Sequence, residues 1–222
     1  YDGSDERKAL YSEYKANRTE DWESLPEEEL PFSEEDMIIK CLSYMDVKTI
    51  QSKGMEADDV IASIAMLFKD RAKITISSFD SDFFQLISES VSVLRYRGKA
   101  SVLWDKEYFI DKMGFSPDRY VLFKSLVGDS ADNIMGVNGI GKKRGAEIVN
   151  QIDSIDDIVS SEAKPKYINA ILENIDIVKR NIKLIELRYR KEISLELSDL
   201  SFSNEKASLR NSEILSACNI FD

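Results

Sequence analysis

The sequence predicts an α/β protein with a mostly parallel sheet and flanking helices, followed by a helical region. The first observation is that helix-like and strand-like apolar segments alternate up to residue 104, as they do where strands are joined by crossover helices. The second is that the strand pattern then stops while helical patterns continue. We therefore expect an α/β core over residues 1–104 and a helical region over residues 105–222.

The elements follow from periodicity in chain order. A helix over residues 5–18 places Leu10, Tyr11 and Tyr14 at helical spacing. Residues 19–36 hold nine acidic residues, two prolines and no Lys or Arg, so they form either a solvated loop or a segment that orders on contact with a partner. The remaining predicted elements are a helix at 33–45, a strand at 47–51, a helix at 57–71, a strand at 72–79, a helix at 82–88, a hairpin of 91–96 with 101–104, and helices at 117–127, 146–151, 165–173 and 175–190.

The composition excludes several classes of chemistry. The 222 residues include no histidine and two cysteines, Cys41 and Cys218, which excludes His-dependent triads, His-ligated zinc and a Cys₄ metal site. So few cysteines, with no signal peptide and no apolar run long enough to span a membrane, predict a cytoplasmic protein. The formal net charge of −11 argues at first against binding to nucleic acid.

Three acidic motifs stand at predicted element boundaries. They are Glu56-Ala57-Asp58-Asp59 before a helix, Asp80-Ser81-Asp82 after a strand, and Asp129 with Asp132 around a predicted helix start at 128–133. Each motif alone is explained by helix capping, which favours acidic residues in the first turn. In an open α/β sheet, however, ligands gather beyond the carboxyl ends of the strands. Carboxylates meeting there would repel one another unless hard cations such as Mg²⁺ or Mn²⁺ neutralised them, and two such ions can hydrolyse a phosphodiester without histidine.

These motifs, with Gly136-Val137-Asn138-Gly139-Ile140-Gly141 after them, resemble the signature series of the 5′→3′ exonuclease and flap endonuclease family. That family includes the nuclease domain of bacterial DNA polymerase I and stand-alone phage enzymes. The sequence is most similar to the phage enzymes, through Lys143-Arg144-Gly145 and Lys166-Tyr167-Ile168-Asn169. The resemblance extends over residues 2–190. It implies a PIN-like 5′-nuclease core, a helical arch at about 5–46 and a C-terminal helix-hairpin-helix (helix-3-turn-helix) region.

The resemblance also implies the residues that bind metal and substrate. Two Mg²⁺ ions, or Mn²⁺ in their place, would be held by eight acids: Asp2, Glu56, Asp58, Asp59, Asp80, Asp82, Asp129 and Asp132. The family has one further aspartate on an opening strand, for which this sequence contains no segment. In the arch, Lys15 and Arg18 would face the scissile phosphate and stabilise charge on its oxygens, while Tyr14 would stack on a base.

The glycine-rich stretch at 136–143 satisfies the spacing of a nucleotide-binding loop, but Lys143 stands where that loop needs Ser or Thr, and a helix precedes it. A helix-hairpin-helix at about 128–151 agrees better with the sequence. Its glycines let the backbone approach a DNA phosphate, and basic side chains add charge. The predicted DNA-binding residues there are Gly136, Gly139, Gly141, Lys142, Lys143 and Arg144. The resemblance adds a K⁺ ion at this hairpin.

The sequence leaves alternatives open. The favoured function is a Mg²⁺-dependent nuclease that cleaves DNA at 5′ single-stranded flaps or ends, including RNA-primed ends, as a monomer in the cytoplasm (the host cytoplasm if phage-encoded). The first alternative is a non-catalytic helix-hairpin-helix module that binds DNA, and the second is a ribonuclease of a related acidic fold. A phosphatase is excluded, because Phe83-Phe84 after Asp82 lacks the Thr or Val that such enzymes place there.

Overall fold

The computed structural model describes residues 5–17, 35–45, 47–50, 52, 54–160, 162–189 and 193–201. The chain divides into two compact units, a larger one of Tyr1–Arg18 with Gly54–Ile193 and a smaller one of Thr19–Lys53 with Ser194–Asp222. The predicted metal ligand Asp2, the predicted catalytic residue Arg18 and the middle of the predicted arch, residues 18–34, lie outside the described residues.

Helices and strands alternate through the described residues and then give way to helices. The helices are α1 (Asp5–Leu10), α2 (Glu35–Tyr44), α3 (Ala57–Phe68), α4 (Lys106–Met113), α5 (Tyr120–Val127), α6 (Lys142–Val149), α7 (Pro165–Glu173) and α8 (Ile175–Ile185). The strands are β1 (Ile74–Ser77), β2 (Val91–Arg95), β3 (Val102–Trp104), β4 (Gly128–Asp129) and β5 (Ile134–Met135). None of the described helices is long and apolar enough to cross a membrane.

The main sheet has the order β1-β2-β3. Strands β1 and β2 run parallel, with Ile76 opposite Val93, and the 3-10 helix Ser81–Leu86 lies in the connection between them. Strands β2 and β3 run antiparallel, with Leu94 opposite Leu103, which is the hairpin that the sequence predicts. The carboxyl ends of β1 and β2 therefore lie at the same edge of the sheet.

The core of the larger unit is built from aromatic rings beside this sheet. Val93 and Phe109 are fully buried, and Phe84 stacks on Trp104 with ring centroids 4.4 Å apart. Phe84 also meets Phe109 edge to face at 5.6 Å, a geometry that contributes about 0.5–1.5 kcal/mol beyond burial of the rings. These contacts fix the 3-10 helix Ser81–Leu86, and so they position the acidic residues at its beginning.

The strand predicted at residues 47–51 is wrong for the positions that the structure describes. In the smaller unit, residues 47–50 have no regular secondary structure, and Val47 and Ile50 are exposed. A short extended segment is stable as a strand only where a neighbouring strand accepts and donates its backbone hydrogen bonds, and no described residue of this unit pairs with it.

The predicted helix start at residues 128–133 is also wrong, because β4 and β5 form a tight antiparallel hairpin there, with Asp129 opposite Ile134. Two glycines explain the difference. A Cβ on Gly136 would lie 2.3 Å from the carbonyl carbon of Val127, and one on Gly128, whose φ is +88°, would lie 2.5 Å from the nitrogen of Gly136. Only glycine allows the two backbones to approach so closely.

The predicted helix over residues 5–18 ends early, at Leu10, and a series of turns follows. Lys15 has a φ of +56°, which a continuing α-helix excludes. Its backbone N–H instead donates to the carbonyl of Asp132 at 3.0 Å, and the side-chain amide of Asn133 donates to the carbonyl of Glu13 at 2.8 Å. Hydrogen bonds to the turn between β4 and β5 thus replace the last turns of the predicted helix.

Candidate active site

Three aspartates from two separate motifs converge at one point, and we call them the aspartate cluster: Asp82, Asp129 and Asp132. One carboxylate oxygen of each lies within 4.8 Å of the others. Asp82 lies in the first turn of the 3-10 helix Ser81–Leu86, Asp129 lies in β4, and Asp132 lies in the turn before β5. The sheet edge and the glycine-dependent hairpin therefore bring together residues that are up to fifty positions apart in the chain.

A buried lysine that the sequence analysis missed lies within this cluster. The ammonium group of Lys124 pairs with Oδ1 of Asp82 and with Oδ2 of Asp129, and Lys124 is only 7% exposed. Burial alone would lower the pKa of Lys124, but the two carboxylates outweigh it and raise the pKa above its ordinary value. The one sequence signal was that Lys124 is the single charged residue of the apolar helix α5.

Two of the predicted metal ligands, Asp58 and Asp82, have raised pKa values. Burial raises the pKa of Asp82 to about 6, although Lys124 counteracts it. Burial and the charge of Asp80 raise the pKa of Asp58 to about 6 as well. Asp80 itself is exposed, and its Oδ1 accepts a hydrogen bond of 2.8 Å from the backbone N–H of Asp82. The site therefore carries more negative charge than its surroundings stabilise, a condition that favours binding of a cation.

The other two predicted ligands lie in a different environment, which we call the arginine cluster: Arg7, Glu56 and Asp59. The guanidinium of Arg7 donates to Oε1 of Glu56 at 2.8 Å and to Oδ2 and Oδ1 of Asp59 at 3.0 and 2.9 Å. Lys15 donates to Oε2 of Glu56 at 2.7 Å. Arg7 is 3% exposed, and both acids are 5% exposed, so the ion pairs are almost completely shielded from water.

Arg7 also connects distant parts of the larger unit. It donates to the carbonyl of Leu184 at 3.0 Å and to that of Glu186 at 3.2 Å, and the backbone N–H of Arg188 donates to Oδ1 of Asp59 at 2.9 Å. Helix α1, the beginning of α3 and the end of α8 with the residues after it thus meet at one guanidinium. Sequence reasoning missed Arg7, although it lies at helical spacing, three, four and seven residues before Leu10, Tyr11 and Tyr14.

The two clusters differ in how many carboxylate oxygens are available to bind a metal ion. In the arginine cluster, every carboxylate oxygen of Glu56 and Asp59 accepts a hydrogen bond from the protein. In the aspartate cluster, Oδ2 of Asp82 accepts none among the described residues, and Lys124 already holds a positive charge between two carboxylates. Hard oxygen donors so close together fit Mg²⁺ or Mn²⁺, so the aspartate cluster fits a divalent ion better than the arginine cluster does.

The predicted base-stacking role of Tyr14 disagrees with the structure. Its ring is 3% exposed and lies in an apolar cluster with Ile134, Leu184 and Ile185. Burial raises the pKa of its hydroxyl well above the ordinary value. The base-stacking role came from the family resemblance, and the structure instead places the ring of Tyr14 in the interior.

The predicted DNA-binding residues of the glycine-rich segment separate into two groups. Gly136 is required by the packing of the hairpin backbone, as described above, whereas Gly139 and Gly141 have open space where a Cβ would stand. Lys142 and Lys143 are exposed at the beginning of α6. The guanidinium of Arg144 lies 4.6 Å from the ring centroid of Tyr167 and pairs with Glu147.

Comparison with known proteins identifies the family. Residues 1–114 match the family model described as the 5′-3′ exonuclease N-terminal resolvase-like domain, and residues 115–208 match the one described as the 5′-3′ exonuclease C-terminal SAM fold. The chain therefore belongs to the 5′-3′ exonuclease family, and its nuclease core and C-terminal helical region are those of that family.

Individual relatives agree with this assignment. The chain is 31% identical over 218 residues to a 5′-3′ exonuclease of Bacillus subtilis, covering 97% of this chain. It spans 19–64% of the length of the relatives it matches. Among solved structures it is similar to the 5′-exonuclease of phage T5 with bound zinc, at 28% identity and a TM-score of 0.64, covering 82% of this chain and 69% of that one.

A second T5 structure, the D15 flap endonuclease with DNA and metal ions, is similar in fold, with a TM-score of 0.64 at 24% identity. The match covers 96% of this chain and 79% of that one. The α/β core with a C-terminal helical region that the sequence predicts is thus confirmed, as is the predicted family.

Proposed function

We propose that this protein is a Mg²⁺-dependent nuclease that hydrolyses phosphodiesters of DNA at 5′ flaps and 5′ ends. The observation that carries the proposal is the convergence of Asp82, Asp129 and Asp132 at the edge of the sheet, in a chain of the 5′-3′ exonuclease family. The T5 relatives support it, since one holds divalent metal and another holds DNA with metal ions.

In this proposal the acidic residues bind the metal ions, and basic residues bind the substrate. The aspartate cluster, with Asp58 and Asp80 beside it, would hold divalent ions, and Glu56, Asp59 and Asp2 are further proposed ligands. Bound there, such ions supply a hydroxide nucleophile and offset charge on the leaving oxygen. Lys15 and Arg18 would stabilise charge on the scissile phosphate.

The glycine-rich segment would bind the duplex part of the substrate. Gly139 and Gly141 leave open space beside the backbone, and Lys142 and Lys143 add positive charge at the amino end of α6. Contacts of this kind bind phosphates regardless of base sequence. A K⁺ ion held at this hairpin, action on RNA-primed 5′ ends in replication, a monomeric state and a cytoplasmic location belong to the same proposal.

The test is cleavage of a DNA hairpin that carries a 5′-fluorescent flap, with Mg²⁺ and with excess chelator. We expect cleavage only with Mg²⁺. The variant Asp82→Asn should lower the cleavage rate at least about 100-fold and leave binding to the same DNA intact, whereas the matched variant Asp111→Asn, at an exposed acid on α4, should cleave like the wild type. Equal rates for the two variants, or cleavage in chelator, would contradict the proposal.

A second candidate is a DNA-binding module without catalysis. The pairing of Glu56 and Asp59 with protein cations favours it, because every carboxylate oxygen of the two acids already accepts a hydrogen bond from Arg7 or Lys15, and a metal would compete with those cations. The flap assay separates the two functions. A chain that binds the flap DNA tightly but leaves it uncut at saturating Mg²⁺ is the binding module.

A further inference from the structure

A basic and aromatic surface lies beyond the carboxyl ends of β1 and β2. We call it the hairpin platform, and its residues are Phe79, Tyr96, Arg97 and Lys99. The two rings are among the more exposed large side chains of the described residues, at 53% for Phe79 and 64% for Tyr96, and Arg97 and Lys99 are exposed as well. Large exposed rings interleaved with cations are typical of surfaces that bind unpaired nucleotides.

The topology places this surface next to the candidate active site. Strands β1 and β2 are parallel, with Ser77 opposite Leu94, so Phe79 and Tyr96 each stand two residues beyond the last pair at the same edge of the sheet. Phe79 directly precedes Asp80, and Asp80 caps the 3-10 helix that carries Asp82. The platform and the aspartate cluster therefore share one edge.

Arg95 connects the platform to the aromatic core. Its guanidinium lies 4.7 Å from the ring centroid of Phe84 and 5.4 Å from that of Trp104, and it donates to the carbonyl of Phe79 at 3.2 Å. The guanidinium of Arg97 in turn lies 5.1 Å from the ring centroid of Phe79. Preorganised side chains lose less conformational entropy when a ligand binds.

The charge of the hairpin opposes that of the whole chain. Residues 91–104 contain three basic residues, Arg95, Arg97 and Lys99, and no acidic residue, although the chain carries a net charge of −11. Basic side chains alone would suit a solvated turn. Exposed Phe79 and Tyr96 beside them add aromatic faces to this basic surface, and a nucleic acid presents both phosphates for the cations and bases for the rings.

We propose that the hairpin platform binds unpaired nucleotides of the substrate beside the phosphodiester that is cleaved. Bases stack on Tyr96 and Phe79, and phosphates pair with Arg97 and Lys99. This inference rests on the proposed nuclease function, because it assumes that the shared edge faces a nucleic acid. It adds a site for the single strand that is distinct from the duplex-binding segment at 136–144.

The test compares the affinities of full-length variants for two probes, a DNA hairpin with a 5′ oligothymidine flap and the same hairpin with a blunt end. Fluorescence anisotropy in chelator measures binding without cleavage. The double variant Tyr96→Ala with Arg97→Gln should bind the flap probe about tenfold more weakly and the blunt probe as the wild type does. Lys142→Gln with Lys143→Gln should weaken binding to both probes, and Lys179→Gln, at an exposed lysine on α8, should change neither.

The outcome of this test is separable from that of the cleavage assay, because binding is read without metal. An equal loss for the flap and blunt probes would overturn the inference, as it would assign the platform to the duplex. An unchanged affinity for the flap probe would overturn it too, since the hairpin tip would then be a solvated turn. The charge reversal Arg97→Glu with Lys99→Glu, which keeps both rings, must show the same selective loss.

Discussion

The arginine cluster and the aspartate cluster lie in the same unit and contain the same kind of side chain, yet their carboxylates are neutralised differently. Every carboxylate oxygen of Glu56 and Asp59 accepts a hydrogen bond from Arg7 or Lys15, which are residues of the protein itself. In the aspartate cluster, Asp82 and Asp129 share the ammonium group of Lys124. The difference teaches that an acidic motif in sequence predicts negative charge at a place, but not which cation neutralises it.

The largest effect is expected from breaking the arginine cluster. The variant Arg7→Met leaves the buried carboxylate of Asp59 without a counter-charge and Glu56 with Lys15 alone, and it should lower the free energy of unfolding by about 3–5 kcal/mol. Chemical denaturation monitored by circular dichroism measures it. The matched variant Arg71→Met, at an exposed arginine, should change stability by less than about 0.5 kcal/mol. A similar small change for both variants would show that Arg7 does not hold the fold together.

A smaller effect is expected from Lys124→Met. Removing the ammonium leaves Asp82 and Asp129 close together and partly buried, so we expect a loss of about 1–3 kcal/mol in chelator. Because the aspartate cluster fits a divalent ion, millimolar Mg²⁺ or Mn²⁺ should restore much of that loss. The same ions should not restore the free energy of unfolding that Arg7→Met loses. If the ions restored the stability of both variants, or of neither, the claim that only the aspartate cluster fits a divalent ion would be contradicted.

The smallest effect is a pH dependence of metal binding. Carboxyl groups with a pKa of about 6, at Asp58 and Asp82, bind protons in competition with a cation, so affinity for Mn²⁺ should be constant above about pH 7 and fall below pH 6. The slope is about tenfold per pH unit for each group that must lose a proton. The chain has no histidine, so a transition near pH 6 belongs to carboxyl groups. Calorimetric titrations at pH 5 and 7.5 measure it, and equal affinities would contradict the shifted pKa values.

Much of the fold was predictable because its determinants are local. Alternating apolar residues predicted β1 and the hairpin of β2 and β3, since a strand with a buried face reads directly as a period of two. The position of Asp80 and Asp82 just beyond a strand followed from the same pattern. The family was predictable as well, because its motifs are short and stand in a fixed order.

The errors have other causes. Arg7 lies on α1 and Lys124 on α5, and helical periodicity alone does not distinguish an exposed polar side chain from a buried one that has a partner. Tyr14 lies in the turns after α1, and its predicted role came from the family resemblance. The hairpin of β4 and β5 depends on the contact between Gly128 and Gly136 across eight residues. Neither glycine signals that contact in the sequence.

The sequence by itself determined the alternation of elements, the absence of histidine chemistry and the presence of three acidic motifs at element boundaries. Those properties depend on residue type and on spacing along the chain. Only the tertiary structure decided that Asp82, Asp129 and Asp132 lie close together, with Lys124 paired to the first two, while Glu56 and Asp59 are bound by Arg7. The physical reason is that charge neutralisation acts through space over a few ångströms, and most of these partners are more than forty residues apart in the chain.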